Sequence, residues 1–212
     1  MTEPSDPVDL AAQLASRLCH DFISPVSAIV SGLDLLEDPG AQDMRDDALA
    51  LIAQSGRKLA DHLAFCRAAF GSASTTEVFD SRELNTLAQG IFAHLKADLD
   101  WQVAPAGLNK PAARSALNLA QIAGTALIGG GTVTVRAVEA DGRVALSVEA
   151  NGPRMRLKPE IAGGLVGEPR GEAMGGAWIQ AFYVHSLVSQ AGGRVAVEHN
   201  DQSATLAVWV PA

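Results

Sequence analysis

Apolar residues recur with helical spacing through the first seventy residues and predict two long helices. At about 100° per residue, the apolar positions of 8–37 fall on one stripe of a helix. These positions are Leu14, Leu18, Phe22, Pro25, Ile29, Leu33 and Leu36. A second helix is predicted over 41–70, where apolar residues recur at spacings of three, four and seven. The residues Glu37 to Gly40 are typical of a turn, and Gly71 is expected to end the second helix.

Two helices of this length predict a hairpin over 8–71. A single hairpin covers only one side of each apolar stripe, so part of the apolar surface stays in water. The usual solution is a second hairpin that packs against the first. We therefore expect two chains to form a dimeric four-helix bundle.

From residue 77 the pattern changes to shorter segments, after a predicted linker over 72–76. Asp80 with Glu83 resembles a capping box, Pro111 suits a first helical turn, and Asp141-Gly142 is typical of a β-hairpin. The helices are predicted over 81–98, 111–127 and 177–191, and the strands over 78–79, 101–103, 132–138, 143–149, 194–199 and 204–210. Three helices and several antiparallel strands predict a two-layer α+β sandwich over 77–212.

Composition and charge exclude several classes of function. The 212 residues are 48% apolar and carry a formal net charge of −8, which argues against a surface for nucleic acid, because phosphate binding needs clustered Lys and Arg. No apolar run approaches the length of a membrane span, and residues 1–9 lack a basic targeting segment. Cys19 and Cys66 indicate neither a disulfide framework nor a metal-ligand spacing. We expect a cytoplasmic protein.

His20 is the residue most indicative of chemistry. On the predicted first helix it falls opposite the apolar stripe, so its ring is expected to face solvent. A neutral imidazole is a good nucleophile near pH 7 and passes on a phosphoryl group easily. Asp21 would hydrogen-bond one ring nitrogen and leave the other free to attack, or would accept the released proton. Pro25 removes a backbone donor and is expected to bend the helix beside His20.

Three further residues lie within one turn of His20 and are candidates for partner contacts. Arg17 would offset phosphoryl charge, with a merely solvated side chain as the alternative. Ile23 offers an apolar contact to a docking partner, unless the dimer buries it. Ser24 is either a partner contact or a helical hydroxyl that bonds back to a backbone carbonyl.

The order His20, Asp21, Ser24, Pro25 resembles the H-box of sensor histidine kinases, and the predicted hairpin followed by an α/β domain matches their plan over nearly the whole chain. At closer range the stretch 14–80, including 31–39, resembles the alphaproteobacterial histidine phosphotransferases. The chain is identified as a member of that family. The resemblance implies a kinase ATP-binding-like fold for the second domain.

The second domain departs from the kinase pattern at three places. Ile122 stands where a kinase has the asparagine that holds magnesium. Ala150 and Arg154 replace the aspartate and second glycine of the adenine-binding loop. The later glycine-rich loop is reduced to Gly175, Gly176 and Ala177, followed by the bulky Trp178. These departures predict a degenerate domain that binds neither nucleotide nor metal.

The resemblance implies a phosphorelay shuttle. His20 would take a phosphoryl group from the receiver domain of a hybrid kinase of the CckA type. It would then pass the group to response regulators of the CtrA and CpdR types. No cofactor is expected, since the receiver brings its own Mg²⁺. Two alternatives stay open: a non-catalytic dimeric scaffold for receivers, and an active ATP-dependent kinase.

Overall fold

The computed structural model describes residues 7–72, 78–168 and 176–212. The first helix, α1, spans Pro7–Glu37 and the second, α2, spans Arg45–Phe70; together they form the predicted hairpin. α1 continues through Pro25 without a break.

The hairpin turn differs from its prediction. Residues Pro39–Met44 form a 3₁₀ helix rather than the start of α2, and Ala41 has the non-helical dihedrals φ −110° and ψ 26°. The side chain of Asp38 caps this turn by accepting a hydrogen bond from the backbone N–H of Gly40. The second helix therefore begins at Arg45, four residues later than its apolar spacing indicates.

The remainder of the chain forms an α+β domain. Its helices are α3 (Ser81–Phe92), α4 (Lys110–Ala126), α5 (Pro159–Leu165) and α6 (Gly176–Gln190). Its strands are β1 (Val78–Asp80), β2 (Ala97–Val103), β3 (Gly107–Asn109), β4 (Gly131–Ala140), β5 (Arg143–Asn151), β6 (Arg194–His199) and β7 (Ser203–Pro211).

Five strands form one sheet in the order β2-β4-β5-β7-β6. The pair β2/β4 is parallel and the other pairs are antiparallel, while β1 and β3 form a separate antiparallel pair. The β4–β5 hairpin turns at Asp141 and Gly142, both with positive φ (52° and 66°), as a two-residue turn of this kind requires. The predicted sandwich is confirmed, with one parallel pair among the expected antiparallel strands.

The core of this domain lies between the sheet and α4. Strands β5 and β7 alternate buried and more exposed positions, so one face of the sheet packs on helices. Almost every residue of α4 is buried. The largest fully buried side chains of the domain are Leu84, Ile91, Leu108, Leu117, Leu119, Leu127, Val133, Leu146, Leu165, Trp178 and Leu206.

The second domain packs directly on the helical hairpin. The buried guanidinium of Arg114 donates hydrogen bonds to the carbonyl of Gly71, at the end of α2, and to the hydroxyl of Tyr183 on α6. The Tyr183 ring also meets Phe70 edge to face, with ring centroids 5.2 Å apart. These contacts join the last turn of α2 to α4 and α6.

Several boundaries differ from the sequence predictions. Helix α3 ends at Phe92, not at residue 98, because β2 already begins at Ala97 and is longer than predicted. The short elements β3 and α5 carry too few residues to show a periodic pattern. Most of the predicted linker, 73–76, and Gly175 lie outside the described residues. None of the described helices has the length and apolar composition needed to cross a membrane.

Candidate functional site

The side chain of His20 stands in solvent on α1, with 87% of its surface exposed. Its exposure follows from the helical pattern, since Leu14, Phe22 and Ile29 of the apolar stripe are partly covered. The predicted exposure of His20 is confirmed. A second macromolecule can therefore reach the imidazole.

Asp21 contacts the imidazole of its neighbour on the chain. Its Oδ1 lies 3.4 Å from Nδ1 of His20, which is long for a hydrogen bond. Such bonds are often loose in the free protein and tighten when the reaction partner binds. If Nδ1 carries the proton, it donates a hydrogen bond to Asp21, and Nε2 keeps its lone pair.

Arg17 is bound on two sides and does not extend freely into solvent. Its Nε donates to Oδ2 of Asp21 at 3.0 Å, and its Nη1 donates to the backbone carbonyl of Gly176 at 2.8 Å. The side chains of Arg17 and Asp21 are only 21% and 23% exposed. The arginine that the sequence offered as a partner contact therefore links α1 to the first residue of α6.

Two titratable side chains of α2 lie behind Asp21. His62 and Cys66 line a small cavity of about 10 Å³ together with Arg17 and Asp21. Burial lowers the pKa of His62 below its ordinary 6.5, although the charge of Asp21 opposes that shift. Burial likewise raises the pKa of the Cys66 thiol to about 11. Both groups are therefore neutral at pH 7.

A polar cleft opens along α1 one turn after His20. It has a volume of about 400 Å³ and includes Ser24 and Pro25 of the H-box. Lys58 of α2 contributes a cation, and the turn after α3 contributes residues 93–95. His94 in that turn is bound through Nε2 to Oδ2 of Asp61 at 2.9 Å. Ser24 thus lies beside the second domain, Pro25 is buried, and Ile23 is 62% exposed.

Three of the residues at which the sequence departs from the kinase pattern are buried in the second domain. Trp178 is 1% exposed, donates from Nε1 to the carbonyl of Glu168 at 3.2 Å, and stacks on Phe182 with centroids 4.6 Å apart. Ile122 and Ala150 are buried. Within the three described ranges, no group of His, Cys, Asp and Glu side chains could hold a metal ion.

Three residues of the site carried no signal in the sequence. Gly176 approaches Arg17 from 159 positions away, and only the tertiary fold brings them together. Lys58 and His62 lie on α2 with ordinary helical spacing, so nothing in the sequence singled them out from other surface residues.

The chain is similar to known phosphotransferases over most of its length. Residues 81–203 match the family model described as "Histidine phosphotransferase C-terminal domain". The chain is 34% identical over 191 residues to "Protein phosphotransferase ChpT" of Brucella abortus (strain 2308), which covers 90% of each protein. A solved bacterial phosphotransferase is similar with a TM-score of 0.86 and 30% identity, covering 97% of this chain and 98% of that one.

The helical hairpin followed by an α+β domain is shared with the solved bacterial phosphotransferase and places the protein among the phosphotransferases. The relative and the solved structure just described span nearly the whole chain, hairpin included. The chain belongs to the histidine phosphotransferase family, in which it is similar to ChpT.

Proposed function

We propose that the protein is the histidine phosphotransferase of a phosphorelay and that His20 is its phosphoacceptor. The observation that carries this proposal is the solvent-exposed ring of His20 with a carboxylate at one nitrogen only. The donor is a phosphoaspartate on the receiver of a hybrid kinase, and the acceptor is the aspartate of a response regulator. Partners of the CckA, CtrA and CpdR types remain part of this proposal.

The chemistry consists of two phosphoryl transfers through a covalent intermediate. The Nε2 lone pair of His20 forms a bond to phosphorus as the bond between phosphorus and the aspartyl oxygen breaks. The ring then carries a positive charge shared with Nδ1–H, which the adjacent Asp21 carboxylate stabilises. In the second step an aspartate oxygen of the acceptor attacks phosphorus, the N–P bond breaks, and neutral imidazole returns.

The protein itself needs no cofactor for these steps. Phosphoryl transfer depends on in-line positioning and on neutralising the charge of the equatorial oxygens. The receiver supplies a Mg²⁺ ion and a lysine for that purpose, and His20 supplies only the nucleophile. The role of this chain is therefore to present His20 and to dock the receiver.

The docking surface extends from His20 along the polar cleft. Exposed Ile23 offers an apolar contact, and Ser24 leads into the cleft where Lys58 provides positive charge. The far wall of the cleft is formed by residues 93–95 of the second domain. The degenerate domain thus forms part of the receiver-docking face, through the turn after α3.

The hairpin pairs with that of a second chain. Val26, Val30 and Leu33 are exposed on α1 at spacings of four and three, and Leu49 and Leu63 are exposed on α2 fourteen residues apart. Apolar residues at these intervals are typical of helices that pack side by side. A second copy presents the same two stripes, so two hairpins bury them in a four-helix bundle.

The protein does not bind ATP. By the resemblance to kinases, small residues would flank the phosphates at the position of the buried Trp178, and Ala150 offers no carboxylate for adenine. Calorimetric titration with Mg-ATP is therefore expected to give no binding heat, and incubation with labelled ATP no phosphohistidine. Binding followed by self-phosphorylation would instead establish the kinase alternative.

A reconstituted relay tests the proposed function. A receiver domain is phosphorylated and freed of its kinase, then mixed with this protein and a second receiver. We expect label to reach the second receiver only when this protein is present, with a transient phosphoprotein that is stable in alkali and labile in acid. If the protein binds both receivers but never acquires label, it is the non-catalytic scaffold.

A further inference from the structure

We propose that the second domain orients the phosphoacceptor, with Arg17 as the positioning residue that connects the two. Arg17 donates hydrogen bonds to the backbone carbonyl of Gly176 and to Asp21, and Asp21 contacts the imidazole of His20. This inference rests on the proposed function, and it assigns to the degenerate domain a part in the chemistry of His20 as well as in docking.

The geometry forms a continuous chain of contacts. Nη1 of Arg17 lies 2.8 Å from the Gly176 carbonyl, and its Nε lies 3.0 Å from Oδ2 of Asp21. The other carboxylate oxygen, Oδ1, lies 3.4 Å from Nδ1 of His20. A guanidinium is planar and rigid, so its two bonds fix the carboxylate relative to the carbonyl.

The exposed fraction of the side chains rises abruptly along this series of contacts. The side chains of Arg17 and Asp21 are 21% and 23% exposed, whereas that of His20 is 87% exposed. The imidazole itself packs against little, so its orientation depends on its bond to Asp21. Because that bond is already long, a modest rotation of the carboxylate is enough to break it.

The surroundings of Gly176 fix the position of its carbonyl. A Cβ atom at residue 176 would lie 3.2 Å from Cδ of Arg17, tighter than ordinary contact. Trp178, two residues later, is buried and fixes the first turn of α6. Gln180 then ties the helix to α4 through a hydrogen bond of 3.0 Å to Asn118. Trp178 and Gln180 therefore fix the position of the carbonyl to which Arg17 donates.

The competing role for Arg17 is a direct contact with the phosphoryl group or the receiver. That role requires the guanidinium to leave at least one of its two partners, since both Nε and Nη1 are engaged. The two roles differ in what they affect. A positioning residue changes the rate of the chemical step and the state of the His20 ring, whereas a contact residue changes receiver affinity.

The experiment compares Arg17→Met and Arg17→Lys with the control Arg45→Met in single-turnover transfer from a phosphorylated receiver. Arg45 is exposed at the start of α2, by the hairpin turn. We expect Arg17→Met to lower the maximal rate about ten-fold, less than the ~100-fold that a misplacement of about 1 Å can cost. Receiver affinity should stay unchanged. Arg17→Lys should fall between, because one ammonium lacks the fork that spans both partners.

A spectroscopic reading of the same variants is independent of rate. In ¹⁵N NMR the neutral His20 ring of the wild type should be protonated mainly at Nδ1, and Arg17→Met should shift the proton toward Nε2. Combining Arg17→Met with Asp21→Asn should slow transfer no further than Asp21→Asn alone, because both substitutions interrupt the same series of contacts.

Opposite results overturn the inference. An unchanged maximal rate and ring state in Arg17→Met, or a loss confined to receiver affinity, would exclude a positioning role. If Arg17→Met does not fold, Arg17→Lys addresses the same link, and an unchanged maximal rate and ring state there are equally contrary. A wild type that takes no label contradicts the proposed function instead, so the two failures are distinguishable.

Discussion

The side-chain amide of Gln180 on α6 donates a hydrogen bond to Oδ1 of Asn118 on α4 across 3.0 Å. The same nitrogen also donates to Oε1 of Gln121 at 2.7 Å, and Asn118 donates to the carbonyl of Arg114 at 2.9 Å. Gln180, Asn118 and Gln121 are all buried. The buried side-chain amides of α4 thus join α4 to α6.

Gln180→Ala is expected to destabilise the second domain. It removes the donor and leaves the side-chain oxygens of Asn118 and Gln121 buried without it, at a cost of about 1–3 kcal/mol in the free energy of unfolding. Urea denaturation measures that change. Gln190→Ala, at the exposed end of the same helix, is the matched control and should change stability little. Equal effects of the two substitutions would contradict a structural role for this network.

Val30→Glu is expected to convert the proposed dimer into monomers. Val30 is 50% exposed in the single chain, so the fold tolerates a carboxylate there, whereas a packed bundle would have to bury the charge. Light scattering after size exclusion gives the molar mass. Ser31→Glu, on an exposed residue directed away from Val30 along α1, should leave the dimer intact. A dimeric Val30→Glu protein with wild-type stability would contradict the proposed interface.

The lowered pKa of His62 predicts how stability depends on pH. Burial disfavours the charged ring in the folded protein, as do the nearby charges of Lys58, His94 and Arg17, while Asp21 favours it. The unfolded chain therefore binds a proton near pH 6.5 that the folded protein does not bind until lower pH. The contribution of His62 to the free energy of unfolding is fully present above pH 6.5 and is lost as the pH falls toward the lowered folded-state pKa.

His62→Gln should remove this part of the pH dependence. Between pH 7.5 and pH 5.5, denaturant titrations of the variant are expected to show a smaller loss of stability than those of the wild type. His199→Gln changes an exposed histidine on β6 and should follow the wild-type curve. Parallel curves for wild type and His62→Gln would show that the half-buried ring does not resist protonation.

Asp21→Asn is expected to slow transfer without abolishing it. The amide keeps the shape of the side chain but loses the charge that stabilises the ring as it takes up phosphorus. A loss on the order of ten- to a hundred-fold in the transfer rate is expected, at or below the low end of what general acid–base groups contribute. Single-turnover rates at saturating receiver measure it. A rate equal to that of wild type would confine Asp21 to solvation.

The sequence predicted those parts of the site that depend on local helical geometry. The exposure of His20 follows from the apolar stripe that defines the buried side of α1. The contact with Asp21 follows from adjacency. The hairpin and the order of the longer strands and helices also followed, since long periodic segments and turn residues specify them.

Contacts between distant segments were not predictable in this way. The bond from Arg17 to Gly176 joins residues 159 positions apart, and no local pattern encodes it. The sequence therefore left Arg17 as a partner contact or a solvated side chain. The start of α2 was misplaced for a different reason: residues 41–44 suit a helix by composition, but the tight turn at Asp38 draws them into a 3₁₀ helix.

His20→Gln tests whether a single imidazole carries the phosphoryl group. A labelled phosphoreceiver is incubated with wild type or variant, while receiver binding is followed in parallel. The variant is expected to bind the receiver with near wild-type affinity and to acquire no label. Label on the variant at the wild-type level would mean that another residue carries the phosphoryl group.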